Sequence, residues 1–134
     1  MDIEIRWILR FQNYEKAFLK LSKIVQINNP QELEQMALIQ AFEYTFELGW
    51  KTMKDNLYEA GFDVKSPKET IRQAFQSEYI NNGDVCIDAI IHRNQSSHAY
   101  DDEVLYRTTE FIINKFYNAA EKFYTDFKSK TIEK

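Results

Sequence analysis

The sequence predicts an all-α protein, an antiparallel up-and-down bundle of three long and two short helices. With three glycines and two prolines among 134 residues, the chain has few places to turn and favours a few long elements. Apolar residues also recur at alternating spacings of three and four, the period of one helix face. Because 44% of the residues are hydrophobic, we expect one compact domain over residues 1–134.

The first long helix is predicted over residues 5–25 and ends before Asn28-Asn29-Pro30. Its apolar stripe is Trp7, Phe11, Tyr14, Phe18, Leu21 and Val25. The second long helix is closed by Gly61, since glycine commonly follows a helix end. Its stripe is Met36, Ile39, Phe46, Trp50, Met53 and Leu57.

Glu43 occupies a position of the second stripe where an apolar residue is expected. A carboxylate there is placed to orient Arg93 or His98 from the facing helix. A stripe shifted by one residue leaves Glu43 at its edge instead, and both interpretations stay open. The shifted stripe is Phe42, Phe46, Gly49 and Met53.

Three further helices complete the bundle. Ser66-Pro67-Lys68-Glu69 has the pattern of a capping box and opens a short helix through Tyr79. A fourth helix is predicted over residues 85–95, and the last runs from Asp101 to about Lys128. Such helices with short connections pack side by side as an antiparallel bundle.

Four tyrosines fall off the apolar stripes, which predicts a surface that meets a second copy of the chain, and we expect a homodimer. They are Tyr44, Tyr106, Tyr117 and Tyr124.

The formal net charge is -4, which excludes a strongly basic binder of polyanions, so any RNA contact must be local. Five basic residues from the second helix to the third form either an RNA-binding rim or ordinary solvated faces. They are Lys51, Lys54, Lys65, Lys68 and Arg72.

The first residues, MDIEIRW, lack an apolar leader, and no run approaches the roughly 18 apolar residues of a membrane span, so we expect a cytoplasmic protein. Cys86 is the single cysteine and is interpreted as a buried, inert thiol.

The stretch HRNQSSHAYDDE, residues 92–103, interrupts the helical pattern. Asn94, Ser96 and Ser97 compete for backbone hydrogen bonds, so the motif is predicted to lie at a helix end and the following turn. Arginine binds phosphate with two parallel hydrogen bonds, and histidine exchanges protons near neutral pH. Arg93 and His98 are therefore candidates for metal-free RNA cleavage.

A structural alternative is that Arg93 pairs with Asp101 or Asp102 while His98 caps a helix. His92 is interpreted as a surface or core residue. We predict no metal site, because no histidine pair has helical zinc spacing and no further ligands complete a set.

The run from Arg93 through Asp101 resembles the R-x4-H-x-Y motif of HEPN-domain proteins, in the branch of nucleotidyltransferase substrate-binding proteins. Two further stretches resemble that branch: QAFEYTFELGWKTMKDNLYEAG, residues 40–61, and SPKETIRQAFQSEYI, residues 66–80. The resemblance implies a small helical bundle that dimerises with its two motifs near a shared cleft.

The resemblance further implies a toxin, a metal-independent endoribonuclease with Arg93 and His98 as catalytic residues. Its antitoxin would be a minimal nucleotidyltransferase that uses ATP to attach AMP to Tyr100, whereas this chain would need no cofactor. Asn94 would help to orient Arg93, and Asp101 would support the motif. The alternative within the same family is a non-catalytic subunit that binds a nucleotide or substrate for the nucleotidyltransferase.

Overall fold

The computed structural model describes the backbone of residues 3–133 and the side chains of residues 6–133. The first four helices are α1 Ile3–Ile24, α2 Glu32–Glu59, α3 Pro67–Gln76 and α4 Gly83–Gln95. A 3-10 turn, Ser96–His98, follows α4. Helix α5, Asp102–Phe111, continues through a π-helical turn, Ile112–Phe116, into α6, Tyr117–Glu133. With the last three segments forming one rod, the prediction of three long and two short helices is confirmed.

The helix ends show how local sequence divides the chain. Gly61 has φ +99°, and the Phe62 N–H donates back to the Leu57 carbonyl at 2.9 Å, so the predicted glycine closure of α2 is confirmed. Helix α3 ends at Gln76, three residues before the predicted end. Glu78 adopts φ +62° there, and the Tyr79 N–H donates to the Ala74 carbonyl at 2.8 Å.

The predicted start of α3 is partly correct. The Ser66 hydroxyl accepts from the Glu69 N–H at 3.2 Å, as a capping residue should. The Glu69 carboxylate, however, accepts from the N–H of Lys65 at 3.4 Å, one residue earlier than a capping box requires.

Both stripes on α2 contribute to the core, since Trp50 and Leu57 of the first stripe are buried as well as Gly49 of the shifted one. Phe42 is fully buried, whereas Met36 on the first stripe is 52% exposed. Glu43 is half-buried at the edge of the shifted stripe. Helix α2 therefore turns its apolar face toward α1, α5 and the π-helical turn.

The first and last helices are joined by an aromatic layer. Phe18 stacks on Tyr117 and Tyr124, with ring centroids 5.7 and 4.9 Å apart. The buried Tyr14 hydroxyl donates to the Ala120 carbonyl at 2.7 Å. Tyr117 and Tyr124 thus pack on Phe18 of the same chain and remain half-exposed. Their contact with a second copy stays a prediction. No helix within residues 3–133 is both long and apolar enough to cross a membrane.

Candidate functional site

The motif lies where α4 ends and α5 begins. Arg93 is in the last turn of α4, and His98 is the last residue of the 3-10 turn. Asp101 begins α5 by accepting from the N–H groups of Glu103 and Val104 at 2.9 and 3.2 Å. The prediction that these acids mark a new helix start is therefore confirmed, and the carboxylate of Asp101 is engaged as a helix cap.

The break in the helix comes later than the polar residues suggested. Ser96 and Ala99 keep right-handed helical torsions, and the backbone becomes extended at Asp101. Helical rotation from Arg93 to His98 places their side chains roughly 140–180° apart around the axis. No hydrogen bond joins Arg93 to His98 among the side chains of residues 6–133.

The guanidinium of Arg93 is held by a carboxylate from α2. Its Nη2 donates to Oε2 of Glu47 at 2.8 Å, and 36% of its side chain remains exposed. Lys51, one turn further along α2, lies 3.6 Å from the other oxygen of Glu47. The alternative pairing of Arg93 with Asp101 or Asp102 is not what the structure shows.

Glu43 contacts the motif at a different residue from the one predicted. The Ser96 hydroxyl lies 2.5 Å from Oε2 of Glu43 and 2.7 Å from the Arg93 carbonyl oxygen. Because α2 and α4 run antiparallel, the earlier carboxylate on α2 meets the later residue of the motif. Glu43 therefore meets the motif at Ser96, and Glu47 is the carboxylate that contacts Arg93. A supporting role of Glu43 in the site stays a prediction.

Apart from the buried Ser96, the polar side chains between Arg93 and Tyr100 are open to solvent. Asn94 and His98 are exposed, and Tyr100 is 83% exposed. The rings of His98 and Tyr100 meet edge to face with centroids 6.0 Å apart. An imidazole and a phenol thus share one accessible turn.

The five basic residues of the predicted rim have different surroundings. Lys51 pairs with Glu47, and the Lys65 ammonium lies 3.1 Å from Asp63. Arg72 lines a groove with Gly83 and Ile87, near the start of α4 and on the order of 10 Å along that helix from Arg93. Lys54 is half-buried and Lys68 is exposed. RNA binding by these residues stays a prediction.

Two other residues near the motif have structural surroundings. His92 stacks on Phe111 with ring centroids 4.1 Å apart, and burial lowers its pKa. Burial raises the pKa of the Cys86 thiol to about 12, which keeps it protonated and unreactive. Within the described part of the chain, no three His, Cys, Asp or Glu side chains form a group able to hold a metal ion.

The sequence pattern did not indicate that Glu47 and Ser96 contact the motif and hold it against α2. Glu47 lies one helical turn after Glu43 and therefore shares its face, which was the available signal. Ser96 was interpreted only as a helix breaker, although it is 7% exposed and joins α4 to α2.

Comparisons with known proteins agree with the helical fold. The sequence model of the family described as "Nucleotidyltransferase substrate binding protein like" matches residues 9–129. The chain is also similar to a Thermus thermophilus protein of known crystal structure, with a TM-score of 0.77 and 26% identity. That similarity covers 82% of this chain and 94% of the other. Among proteins with curated descriptions, none matches. Since the family model covers most of the sequence, the chain belongs to the nucleotidyltransferase substrate-binding protein-like family.

Proposed function

We propose that this protein acts with a nucleotidyltransferase, as a metal-independent endoribonuclease that the partner inactivates by attaching AMP to Tyr100. The observation that carries the proposal is the exposed turn on which His98 and Tyr100 lie with ring centroids 6.0 Å apart, just after the anchored Arg93. A base, a cation and an acceptor hydroxyl are thereby present within eight residues. The family description supports the choice of partner.

In the cleavage step, His98 accepts the proton of a ribose 2′-hydroxyl while that oxygen attacks the adjacent phosphorus. The new bond joins O2′ to phosphorus, and the bond from phosphorus to the 5′ oxygen breaks. The leaving oxygen takes a proton from solvent, which produces a 2′,3′-cyclic phosphate and a 5′-hydroxyl. Arg93 stabilises the charge that develops on the phosphate.

Helical rotation separates Arg93 from His98 within one chain, so a homodimer would supply the site more readily than a monomer. The exposed Tyr44 and Tyr106 are available for such an interface. In this arrangement each phosphate would meet the histidine of one copy and the arginine of the other. We therefore include the homodimer in the proposal.

For inactivation, the Tyr100 hydroxyl attacks the α-phosphorus of ATP in the partner's site. The bond from that phosphorus to the bridging oxygen breaks, pyrophosphate leaves, and the hydroxyl proton passes to solvent. The exposure of Tyr100 makes its hydroxyl reachable by a second protein. The attached phosphate would occupy Arg93, whose remaining N–H groups have no partner among the described residues.

A second candidate is a non-catalytic subunit that binds a nucleotide for the nucleotidyltransferase. The family description, "Nucleotidyltransferase substrate binding protein like", favours it. In this version Arg93 and His98 bind a phosphate without cleaving RNA.

The test is to produce the chain alone and together with a candidate nucleotidyltransferase and ATP. RNA cleavage and the intact protein mass are then followed in parallel. Cleavage that is lost in His98→Ala, with an AMP mass gain that is lost in Tyr100→Phe, supports the toxin. Nucleotide binding by the unmodified chain without any cleavage would favour the binding subunit.

A further inference from the structure

A groove lies between the first turns of α2 and the turn that carries the motif. Its volume is about 450 Å³, within the range of small-molecule sites. We name it the α2–motif groove. Its lining residues are Leu33, Met36, Ala37, Ile39, Gln40, Glu43, Ser96 and Ala99.

Apolar side chains in this groove are unusually exposed. Leu33 is 80% exposed and Met36 is 52% exposed, while Ile39 beneath them is almost fully buried. Exposed apolar side chains around a concave surface are typical of a binding site. A flat, weakly polar ring would cover Leu33 and Met36 and remove their apolar surface from water.

The polar groups of the groove have free hydrogen-bonding capacity. Gln40 donates from Nε2 to the Tyr44 hydroxyl at 3.1 Å, which leaves its amide oxygen and one N–H available. Glu43 receives the Ser96 hydroxyl on Oε2, while Oε1 has no partner among the described residues. These groups match adenine, because its amino group donates to an acceptor and a glutamine amide pairs with both its amino group and N7.

We propose that the α2–motif groove binds the adenine of an adenosine monophosphate, and that in the modified protein this base is the one carried by Tyr100. The second part rests on the proposed function. Ala99 lines the groove and is followed directly by Tyr100, so their Cα atoms lie about 3.8 Å apart. A nucleotide on the Tyr100 hydroxyl would be tethered beside the groove, and its local concentration would compensate for a weak intrinsic affinity.

The first experiment uses the unmodified full chain without a nucleotidyltransferase. Amide NMR spectra follow titrations with AMP, with inosine monophosphate and with inorganic phosphate. Inosine monophosphate is the matched ligand because it replaces the amino group with a carbonyl oxygen. We expect saturable shifts at the groove with AMP, at least a fivefold weaker affinity for inosine monophosphate, and no groove shifts with phosphate alone.

Variants then connect the shifts to the groove. Leu33→Ser with Met36→Ser should weaken AMP binding at least fivefold, because the apolar cover of the base is lost. Leu19→Ser on α1 is the control, since Leu19 is also exposed, at 48%, but lies outside the groove.

Three outcomes overturn the inference. The two nucleotides bind with equal affinity, inorganic phosphate alone shifts the amide signals of the groove, or those signals respond only to protein concentration. The last result would identify the groove as a contact between copies.

The second experiment repeats the spectra on protein modified by the nucleotidyltransferase and ATP. Groove shifts that match those with free AMP, now independent of added nucleotide, support the tethered base. If Tyr100 gains AMP mass without groove shifts, this inference fails while the proposed function stands. If free AMP binds but Tyr100 gains no mass, the groove is a nucleotide site and the acceptor role of Tyr100 fails.

Discussion

The guanidinium of Arg93 donates a 2.8 Å hydrogen bond to the carboxylate of Glu47, which lies 46 positions earlier in the chain. The contact joins the last turn of α4 to the middle of α2 and fixes the direction of the guanidinium. Because both side chains are about one-third exposed, the pair contributes more to orientation than to stability.

Replacing Glu47 by Gln should impair the proposed RNA cleavage without unfolding the protein. The variant retains an acceptor but loses the charge that fixes Arg93, so we expect the cleavage rate to fall roughly 10- to 100-fold. The free energy of unfolding should change by less than about 1 kcal/mol. Single-turnover cleavage and urea unfolding measure the two quantities.

Glu103→Gln is the control for Glu47→Gln, because Glu103 is exposed and pairs with a different arginine, Arg107, at 3.9 Å. Unchanged cleavage in Glu47→Gln would remove Glu47 from the site.

Replacing Ser96 by Ala should loosen the end of α4. The Ser96 hydroxyl is buried between Glu43 and the Arg93 carbonyl, and its loss should cost about 1 kcal/mol of unfolding free energy. Urea unfolding provides the measurement. The neighbouring Ser97→Ala is the matched control, because Ser97 is exposed and should change stability by less than about 0.5 kcal/mol. Equal effects of the two variants would contradict a special role for Ser96.

Much of the fold was predictable because helix periodicity and end signals are local. Gly61 closes α2 by a backbone conformation that glycine adopts without strain. Glu78 adopts the same left-handed region although its side chain does not favour it, so the early end of α3 was not readable from composition. The inward packing of Tyr117 and Tyr124 depends on the distant Phe18, which a stripe on one helix does not reveal.

The motif residues were predictable, but their partners were not. Residue chemistry and the family resemblance singled out Arg93 and His98, whose roles stay predictions. The carboxylate that Arg93 meets depends instead on the register between α2 and α4. A shift of one helical turn, on the order of 5 Å, separates Glu43 from Glu47 and decides which one contacts Arg93. That register follows from packing of the whole core, to which both stripes of α2 contribute.

Two glycine substitutions should differ in their effect on stability. A Cβ at Gly49 would lie 3.3 Å from the ring of Tyr14, which is buried and held by its bond to the Ala120 carbonyl. Overpacking of about 1–3 kcal/mol should therefore exceed the helix-propensity gain of about 1 kcal/mol, so Gly49→Ala should destabilise the protein. Melting temperature and urea midpoint report the change.

The paired variant is Gly83→Ala at the start of α4. Its Cβ would lie 3.1 Å from Phe75, but that side chain is 54% exposed and is free to turn aside. We expect the free energy of unfolding to stay within about 0.5 kcal/mol of the wild type or to rise. A stable Gly49→Ala protein would show that the aromatic layer around Tyr14 yields more easily than its packing indicates.

His92 should make stability depend on pH. Burial against Phe111 is the main cause of its lowered pKa, and Arg107 and Lys115 lower the pKa further, while Asp88 opposes them. The folded protein therefore binds a proton at His92 less readily than the unfolded chain, whose histidine titrates near 6.5. By linkage, the His92 contribution is constant above that pH and is lost as the pH falls from about 6.5 toward the lower folded pKa.

Urea unfolding at pH 7.5, 6.5 and 5.5 measures this dependence in a range where most carboxylates stay ionised. The slope of unfolding free energy against pH should be smaller in His92→Gln, whatever that substitution does to absolute stability. His98→Gln is the matched control, because its side chain is exposed on the neighbouring turn and the slope should be retained. A slope that survives unchanged in His92→Gln would contradict this assignment. Loss of the slope in His92→Gln alone would separate the structural histidine from the one proposed to act on RNA.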